Sequence, residues 1–341
     1  MENKLVVLSF FDGASIGQLA LNKLGISNYV YYASEIDKYA IAVTNYNFPN
    51  TIQIGDIRNV TYSNGILSNG IDQWHIGNVD LMLGGFSCQS LSLVNRTYSA
   101  VGLESNTLDA YLELKRKGHV FEGASYLFWE LLRLKKEIQP KYFLYENVLP
   151  NSHIDLHLIT KNVGVTPHLI DSRYFSAQKR RRYYWTNIAI DDYSDMNIKL
   201  SDVILDDDDP LLYKWLVSDA KLEFLKRKVV KGWVKQIAKN GNEKAECLLA
   251  SDYKRSQEQI WRMRDGKLRM FSVEEREMLQ TWPIHYTKFG YVKNNKLTTI
   301  SNTQRIKMIG NGWTASVIVH ILKNINIKPP IDNTVKDNLL L

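Results

Sequence analysis

Val79-Asp80-Leu81-Met82-Leu83-Gly84-Gly85-Phe86-Ser87-Cys88-Gln89-Ser90 is the stretch whose reading decides the fold. The short apolar run Val79 to Leu83 reads as a buried strand. A glycine pair ends it, and Cys88 sits in the loop just beyond. Open α/β sheets bind their ligands outside the carboxyl ends of the strands, so a thiol placed there is a candidate nucleophile. A buried, inert cysteine is the commoner fate of a lone Cys. The neighbouring strands decide between the two.

Toward the N-terminus, Leu5 to Phe11 is β-branched and apolar, a first buried strand. Asp12-Gly13-Ala14-Ser15-Ile16-Gly17 is a small-residue turn, and Gln18 to Leu24 reads as a helix stopped by Gly25. The free N–H groups at such a helix start make a nucleotide-type cradle. A second strand, Tyr29 to Ala33, ends at Glu35, placed to accept hydrogen bonds from ribose hydroxyls. A third, Thr51 to Ile54, ends at Asp56-Ile57, where a carboxylate beside an apolar side chain suits an adenine ring. Acidic residues at two successive strand ends point to a nucleoside-containing cofactor.

Toward the C-terminus, the polar segment Asn95 to Glu122, with Lys115 and Arg116, is too long for an ordinary connection. A helix follows over Tyr126 to Ile138, ended by Pro140. The strand Tyr142 to Tyr145 then delivers Glu146-Asn147-Val148 to the same edge as Cys88. Val165 to Phe175 and Tyr183 to Ile190 read as two further strands. Gln178-Lys179-Arg180-Arg181-Arg182 lies between them as a basic turn, for which a solvated charge run is the ordinary reading.

The 341 residues carry 45% hydrophobic and 23% charged side chains and a net charge of +7. The length suits one large domain with a smaller one, and the charge suits a polyanionic partner. No apolar run reaches the length of a membrane span, and no signal peptide is expected at the start. Two cysteines, Cys88 and Cys247, make neither a disulfide framework nor a zinc spacing. His153 and His157 read as structural or surface residues, and no metal is expected. Asp206 to Asp209 reads as an acidic surface turn. Lys214 to Arg269 is basic with interleaved Trp233 and Trp261, a composition suited to phosphate contacts. Glu274 to Gln280 reads as a helix, Asn294 to Thr303 as polar linker, and Ile306 to Lys323 as helix broken at Gly310-Asn311-Gly312.

In this order and spacing, the residues resemble the C5-cytosine DNA methyltransferases over most of the chain. Phe11 to Gly17 resembles that family's cofactor loop, and Glu35 and Asp56-Ile57 fall where it holds ribose and adenine. Ser87-Cys88-Gln89 stands at the Pro-Cys-Gln motif, Glu146-Asn147-Val148 at Glu-Asn-Val, and Gln178 to Arg182 at Gln-x-Arg-x-Arg. Arg269, Ser272 and Glu275 resemble the motif after the target-recognition region, and Gly310-Asn311-Gly312-Trp313 the closing cofactor motif. The wording is nearest the animal de novo branch, in what reads as a bacterial or phage member. Ser87 replaces the family's proline, the Asn95–Glu122 loop is longer than usual, and Asn311 follows the bacterial pattern.

The resemblance implies a Rossmann-like α/β methyltransferase sheet, formed by 1–190 and 300–330, with a smaller target-recognition domain over 191–299 and a tail over 331–341. It implies catalysis by Cys88, Glu146, Arg180 and Arg182. S-adenosyl-L-methionine, leaving as S-adenosyl-L-homocysteine, would be held by Phe11, Asp12, Gly13, Ser15, Ile16, Glu35, Ile36, Asp56, Ile57, Gly84, Asn311 and Trp313. Double-stranded DNA would be met by Ser90, Lys115, Arg116, Gln178, Lys254, Arg255, Arg262 and Arg264. A cytoplasmic monomer, with or without a cognate restriction endonuclease, is expected. A tRNA cytosine-5 methyltransferase and a catalytically silent DNA-binding paralogue are the alternatives. A nicotinamide dehydrogenase fits poorly, because the G-x-G-x-x-G spacing is missing.

Overall fold

The computed structural model describes residues 4–86, 106–150, 152–230, 239, 241–255, 260–292 and 295–326. Ser87 to Gln89, Ser90 and the tail 331–341 therefore lie outside the described residues. A seven-stranded sheet forms the centre, in the order β3-β2-β1-β7-β8-β10-β9. Its strands are β1 (Leu5–Phe10), β2 (Tyr29–Ser34), β3 (Ile52–Gln53), β7 (Leu81–Gly84), β8 (Tyr142–Asn147), β9 (His168–Asp171) and β10 (Arg181–Thr186). A small meander of β4 (Thr61–Ser63), β5 (Ile66–Ser68) and β6 (Gln73–His75) interrupts the series before β7. β1, β2, β3, β7 and β8 run parallel, and β10 is antiparallel to both its neighbours.

The apolar runs form strands because both faces of the sheet are covered. Leu5, Val7, Leu81, Leu83 and Leu144 point to one face. There they meet α1 (Ile16–Lys23) and α10 (Ala315–Leu322) through Ala20, Leu21, Val317, Ile318 and Ile321. Leu8, Phe10, Met82, Phe143 and Tyr145 point to the other, against α4 (Leu127–Ile138) and α5 (His153–Val163). Each such aliphatic side chain contributes about 1.5–3 kcal/mol when fully buried. α2 (Lys38–Asn47) follows β2, and α3 (Leu108–Arg116) packs beside α4.

Beyond Thr186 no strand among the described residues is longer than four residues. The elements there comprise α6 (Asp219–Val230), α7 (Asp252–Arg255), the β11–β12 hairpin (Ile260–Arg262 and Leu268–Met270), α8 (Val273–Leu279), β13 (Phe289–Val292), β14 (Lys296–Thr299) and α9 (Asn302–Asn311). A third apolar cluster joins this region to the N-terminal loop, with Leu200, Leu212, Phe271 and Trp282 packed with Ala14, Ile16 and Leu19. No helix among the described residues is long and apolar enough to cross a membrane.

Three readings from the sequence need correction. The expected strand Val165–Phe175 is only four residues long. The Asp171 carboxylate accepts from the N–H groups of Arg173 and Arg180, which turns the chain into a 3-10 helix over Ser172–Tyr174. The expected linker Asn294–Thr303 contains β14 and the start of α9. β14 pairs with β13, whose Gly290 meets α2 so closely that a Cβ there would stand 2.9 Å from that of Ala42. The acidic turn is not wholly at the surface, because Asp207 is buried and accepts from Trp261 Nε1 and the Arg264 N–H.

Candidate active site

The strand register builds the site. Ser34, Phe10, Gly84 and Tyr145 stand in one row across β2, β1, β7 and β8. The residues that follow them, Glu35, Phe11, Gly85 and Glu146, therefore share one edge. β10 runs the other way and pairs Tyr184 with Glu146, so its first residues, Arg181 and Arg182, reach that same edge.

At the β1–β2 corner the loop carries left-handed backbone at Phe11, Gly13 and Ser15, a costly geometry for the two residues with a Cβ. Glu35 holds the loop in place. One carboxylate oxygen accepts the Gly13 N–H at 2.8 Å, and the other accepts those of Ile36 and Asp37 at 2.7 and 2.8 Å. Asp12 accepts from the Tyr31 hydroxyl at 2.7 Å and from Ser15, and burial pushes its carboxyl up to about 6. Tyr286 reaches the loop from after α8, donating to the Ala14 carbonyl at 2.6 Å. Asp56 caps a 3-10 turn and forks with Arg58, whose hydrogen bonds hold its carboxyl below the usual range.

This corner suits a nucleoside. Nothing lies within 4 Å of the place a Gly13 Cβ would take, and Ile36 is 70% exposed beside the Glu35 carboxylate. An open backbone, an apolar face and two hydrogen-bond-accepting carboxylates are what ribose hydroxyls and an adenine ring with its amine call for. Ile16 and Ile57 belong to the core, so Ile57 offers no free face. Gly84 serves strand packing, since a Cβ there would stand 3.0 Å from Leu131 of α4. Asn311 is exposed at the end of α9.

At the β8–β10 corner the Glu146 carboxylate is buried and held from two sides. Arg182 Nε stands 3.0 Å from one oxygen, and Trp313 Nε1 donates to the other at 3.0 Å. Burial pushes the Glu146 pKa up; the guanidinium groups of Arg182 and Arg180 and the Trp313 N–H pull it partly back. The run Gln178–Arg182 is no solvated turn. Gln178, fully buried, accepts the Leu248 N–H and donates to the Leu279 carbonyl and Gln280. It cannot reach DNA, which corrects the expectation. Arg180, also buried, donates to the carbonyls of Leu248, Gly310 and Gly312 at 2.9, 3.0 and 2.8 Å. Its fork is spent on backbone, so it clamps the edge and is not placed as a catalytic group. Cys88 and Ser90 lie outside the described residues.

The remaining basic residues expected at DNA have mixed surroundings. Lys115 pairs at 2.5 Å with Glu130, a buried carboxylate shared with Tyr111 and Arg133, so it anchors α3 on α4. Arg116 pairs with Glu113, and Arg264 with Asp206 and Asp208, all at the surface. Lys254 and Arg262 are exposed. Arg255 ends α7, and its side chain lies outside the described residues. Arg269, Ser272 and Glu275 form a closed structural unit. Ser272 and Glu275 make a capping box on α8, and Arg269 donates to both Glu275 oxygens at 2.8 and 2.7 Å.

Sequence reasoning missed Cys247. Residues Ala177 and Lys179 bond to the backbone of Ala245, and that pairing sets the Cys247 sulfur 3.4 Å from Arg180 Nη1 and 3.8 Å from Arg182 Nη2. No local pattern around Cys247 announces this, because its neighbours are 65 or more residues away. The burial of Gln178 and Arg180 had a signal: alternate residues face inward, as on a strand.

A family model described as C-5 cytosine-specific DNA methylase matches residues 5–206. The orphan methyltransferase M.SPRI of Bacillus phage SPR is 29% identical over 201 residues, 55% of this chain and 38% of the relative. The putative type II methyltransferase M.BsuMIIP of Bacillus subtilis strain 168 is 29% identical over 214 residues, 55% of this chain and 46% of the relative. The chain thus spans less than half the length of these two curated relatives. Among solved structures, S. pombe Dnmt2 methyltransferase superposes with a TM-score of 0.62 at 16% identity, covering 95% of this chain and 100% of that one. A putative DNA modification methyltransferase encoded in an E. coli prophage superposes with a TM-score of 0.57 at 18% identity, covering 94% and 98%. At these identities the structural likeness is one of fold.

Proposed function

The chain belongs to the C-5 cytosine-specific DNA methylase family, and from that premise we propose that it methylates C5 of a cytosine flipped out of double-stranded DNA. The observation that carries the reading is the buried Glu146 carboxylate, paired with Arg182 on the strand edge that also holds the Glu35 loop. When bound, S-adenosyl-L-methionine supplies an electrophilic methyl group and leaves as S-adenosyl-L-homocysteine. Glu35 would hold its ribose, Asp56 its adenine amine, and Ile36 the ring face, with Phe11 and Gly13 lining the approach.

Cys88, by resemblance, adds as thiolate to C6 of the cytosine, which makes C5 nucleophilic. Glu146 meets N3 and the exocyclic amine and supplies a proton to N3. Its raised proton affinity suits that task. Arg182 stabilises the charge that develops on O2. After methyl transfer a water-mediated base takes the C5 proton, the Cys88–C6 bond breaks to release the thiolate, and N3 returns its proton to Glu146, which restores the ring. Residues 191–299 form the target-recognition part, and 1–190 with 300–330 the catalytic part. Lys254 and Arg262 are exposed and make no ion pair among the described residues, and they would meet phosphates. The enzyme would work as a monomer in the cytoplasm of a bacterial or phage-infected cell, as an orphan or beside a restriction endonuclease.

The test is transfer of labelled methyl to mixed-sequence duplex DNA and, in parallel, to tRNA, with base-resolution mapping. Label at C5 of cytosine in one short DNA context, absent with Cys88→Ala, is the expected result. Label confined to tRNA would overturn the DNA reading. None on either substrate, with S-adenosyl-L-homocysteine still bound, would make the protein a silent paralogue.

A further inference from the structure

We propose that Trp313 is a positioning residue for the Glu146 carboxylate, a role separate from lining the cofactor site. The proposal rests on the function argued above. Its basis is a contact between residues 167 apart in sequence, the 3.0 Å bond from the indole N–H to one Glu146 oxygen. Arg182 takes the other oxygen from β10, so donors on two different elements fix the plane of the carboxylate. Neither donor can accept a hydrogen bond. Each therefore holds an oxygen in place without competing for a proton that Glu146 would give to a base.

The donor itself is held firmly. The Trp313 carbonyl accepts from Trp282 Nε1 at 2.9 Å, and the preceding Gly312 carbonyl accepts from Arg180 and Gln280 at 2.8 and 3.0 Å. Gly312 meets Trp282 where any side chain would collide, a Cβ standing 2.4 Å from that ring. The indole also lies over Gly85, where a Cβ would stand 3.0 Å from Nε1 and 3.3 Å from Cζ2. Gly85 begins the passage from β7 toward Cys88. One ring thus sets the Glu146 carboxylate against the strand end that leads to the cysteine. This gives a physical reason for the second glycine of Gly84-Gly85 that a turn alone does not.

The bond also bears on protonation. Arg180, Arg182 and Tyr184 face Glu146 from the β10 side, and Cys247 faces the two arginines from the 245–249 segment. Of these groups and Trp313, the indole alone is a neutral, permanent donor to the carboxylate. Its removal takes a hydrogen bond from the charged form, so the Glu146 pKa rises further. Activity that needs protonated Glu146 would then persist to higher pH while its maximum falls.

The test uses the full chain with its eight tryptophans 15N-labelled in the indole. The indole N–H signal lost in Trp313→Phe should move with pH through the Glu146 titration and stop moving in Glu146→Gln. Gly85→Ala should displace the same signal. In single-turnover methyl transfer, Trp313→Phe should slow the reaction about tenfold and shift the alkaline limb upward. Affinity for S-adenosyl-L-homocysteine is measured alongside, because the resemblance also places Trp313 at the cofactor, and the pH profile separates the two roles. A Trp313 signal indifferent to both pH and Glu146→Gln overturns the proposal. So does a loss of S-adenosyl-L-homocysteine binding of about tenfold or more with an unmoved pH profile. The spectroscopic arm needs no turnover, so it still decides the role of Trp313 if the wild-type protein methylates nothing.

Discussion

Two carboxylates stand on the same sheet edge and are built in opposite ways. Glu35 is satisfied by its own neighbourhood, taking N–H groups from Gly13, Ile36 and Asp37. Glu146 is satisfied by side chains far along the chain, Arg182 and Trp313, while Arg180 ties their supports together. A locally satisfied carboxylate shapes a loop and presents it. One held by distant donors is fixed only once the whole molecule has folded. The first arrangement suits recognition of a ligand, and the second suits chemistry that must wait for an assembled site.

The sharpest way to break this contrast is at Glu146. Glu146→Gln keeps the shape and removes the exchangeable proton, so methyl transfer should fall by about 10²–10⁴-fold with little change in melting temperature. Equal loss from Glu35→Gln at saturating cofactor would erase the distinction between the two corners.

A smaller effect is expected at the clamp. Arg180→Met leaves the Leu248 and Gly310 carbonyls without that donor and the Gly312 carbonyl with Gln280 alone, and stability measured by denaturant unfolding should drop by about 2–4 kcal/mol. The same substitution would have cost almost nothing on a solvated turn, so an unchanged midpoint contradicts the clamp.

The smallest effect lies in the cofactor loop. Burial raises the Asp12 carboxyl to about 6 in the folded protein, above its unfolded value. The folded state therefore binds the proton more tightly, and the cost of keeping Asp12 charged grows as pH rises from about 4 to about 6. Asp12→Asn should stabilise the protein by about 1–2 kcal/mol above that window and lose its advantage below it. A difference independent of pH would place the loop's strain elsewhere.

Much of the sheet is legible in the sequence because its strands are continuous apolar runs buried on both faces, as at Leu81-Met82-Leu83. Their ends are legible for the same reason, so the sequence alone places Glu35, Asp56 and Glu146 on one edge. The run Gln178–Arg182 misled because five polar residues look solvated. Their alternation inward and outward, buried at Gln178 and Arg180 and exposed at Arg181, is visible only once a strand is assumed. The region beyond Thr186 resisted because its strands are short and its apolar residues form one cluster with residues of α1 and α2 from the other end of the chain. The Trp313–Glu146 bond has no local trace at all, since two donors from elsewhere meet a carboxylate that ends a strand.

The most direct measurement places the protein and S-adenosyl-L-methionine on duplexes whose mapped target cytosine carries fluorine at C5. Fluorine cannot leave as a proton does, so the Cys88–C6 bond should not break. The account predicts a denaturation-stable adduct whose mass equals protein plus duplex strand plus one methyl group, absent with Cys88→Ala. Methylation of ordinary duplex with no adduct on the fluorinated one, or an adduct that persists in Cys88→Ala, would contradict it.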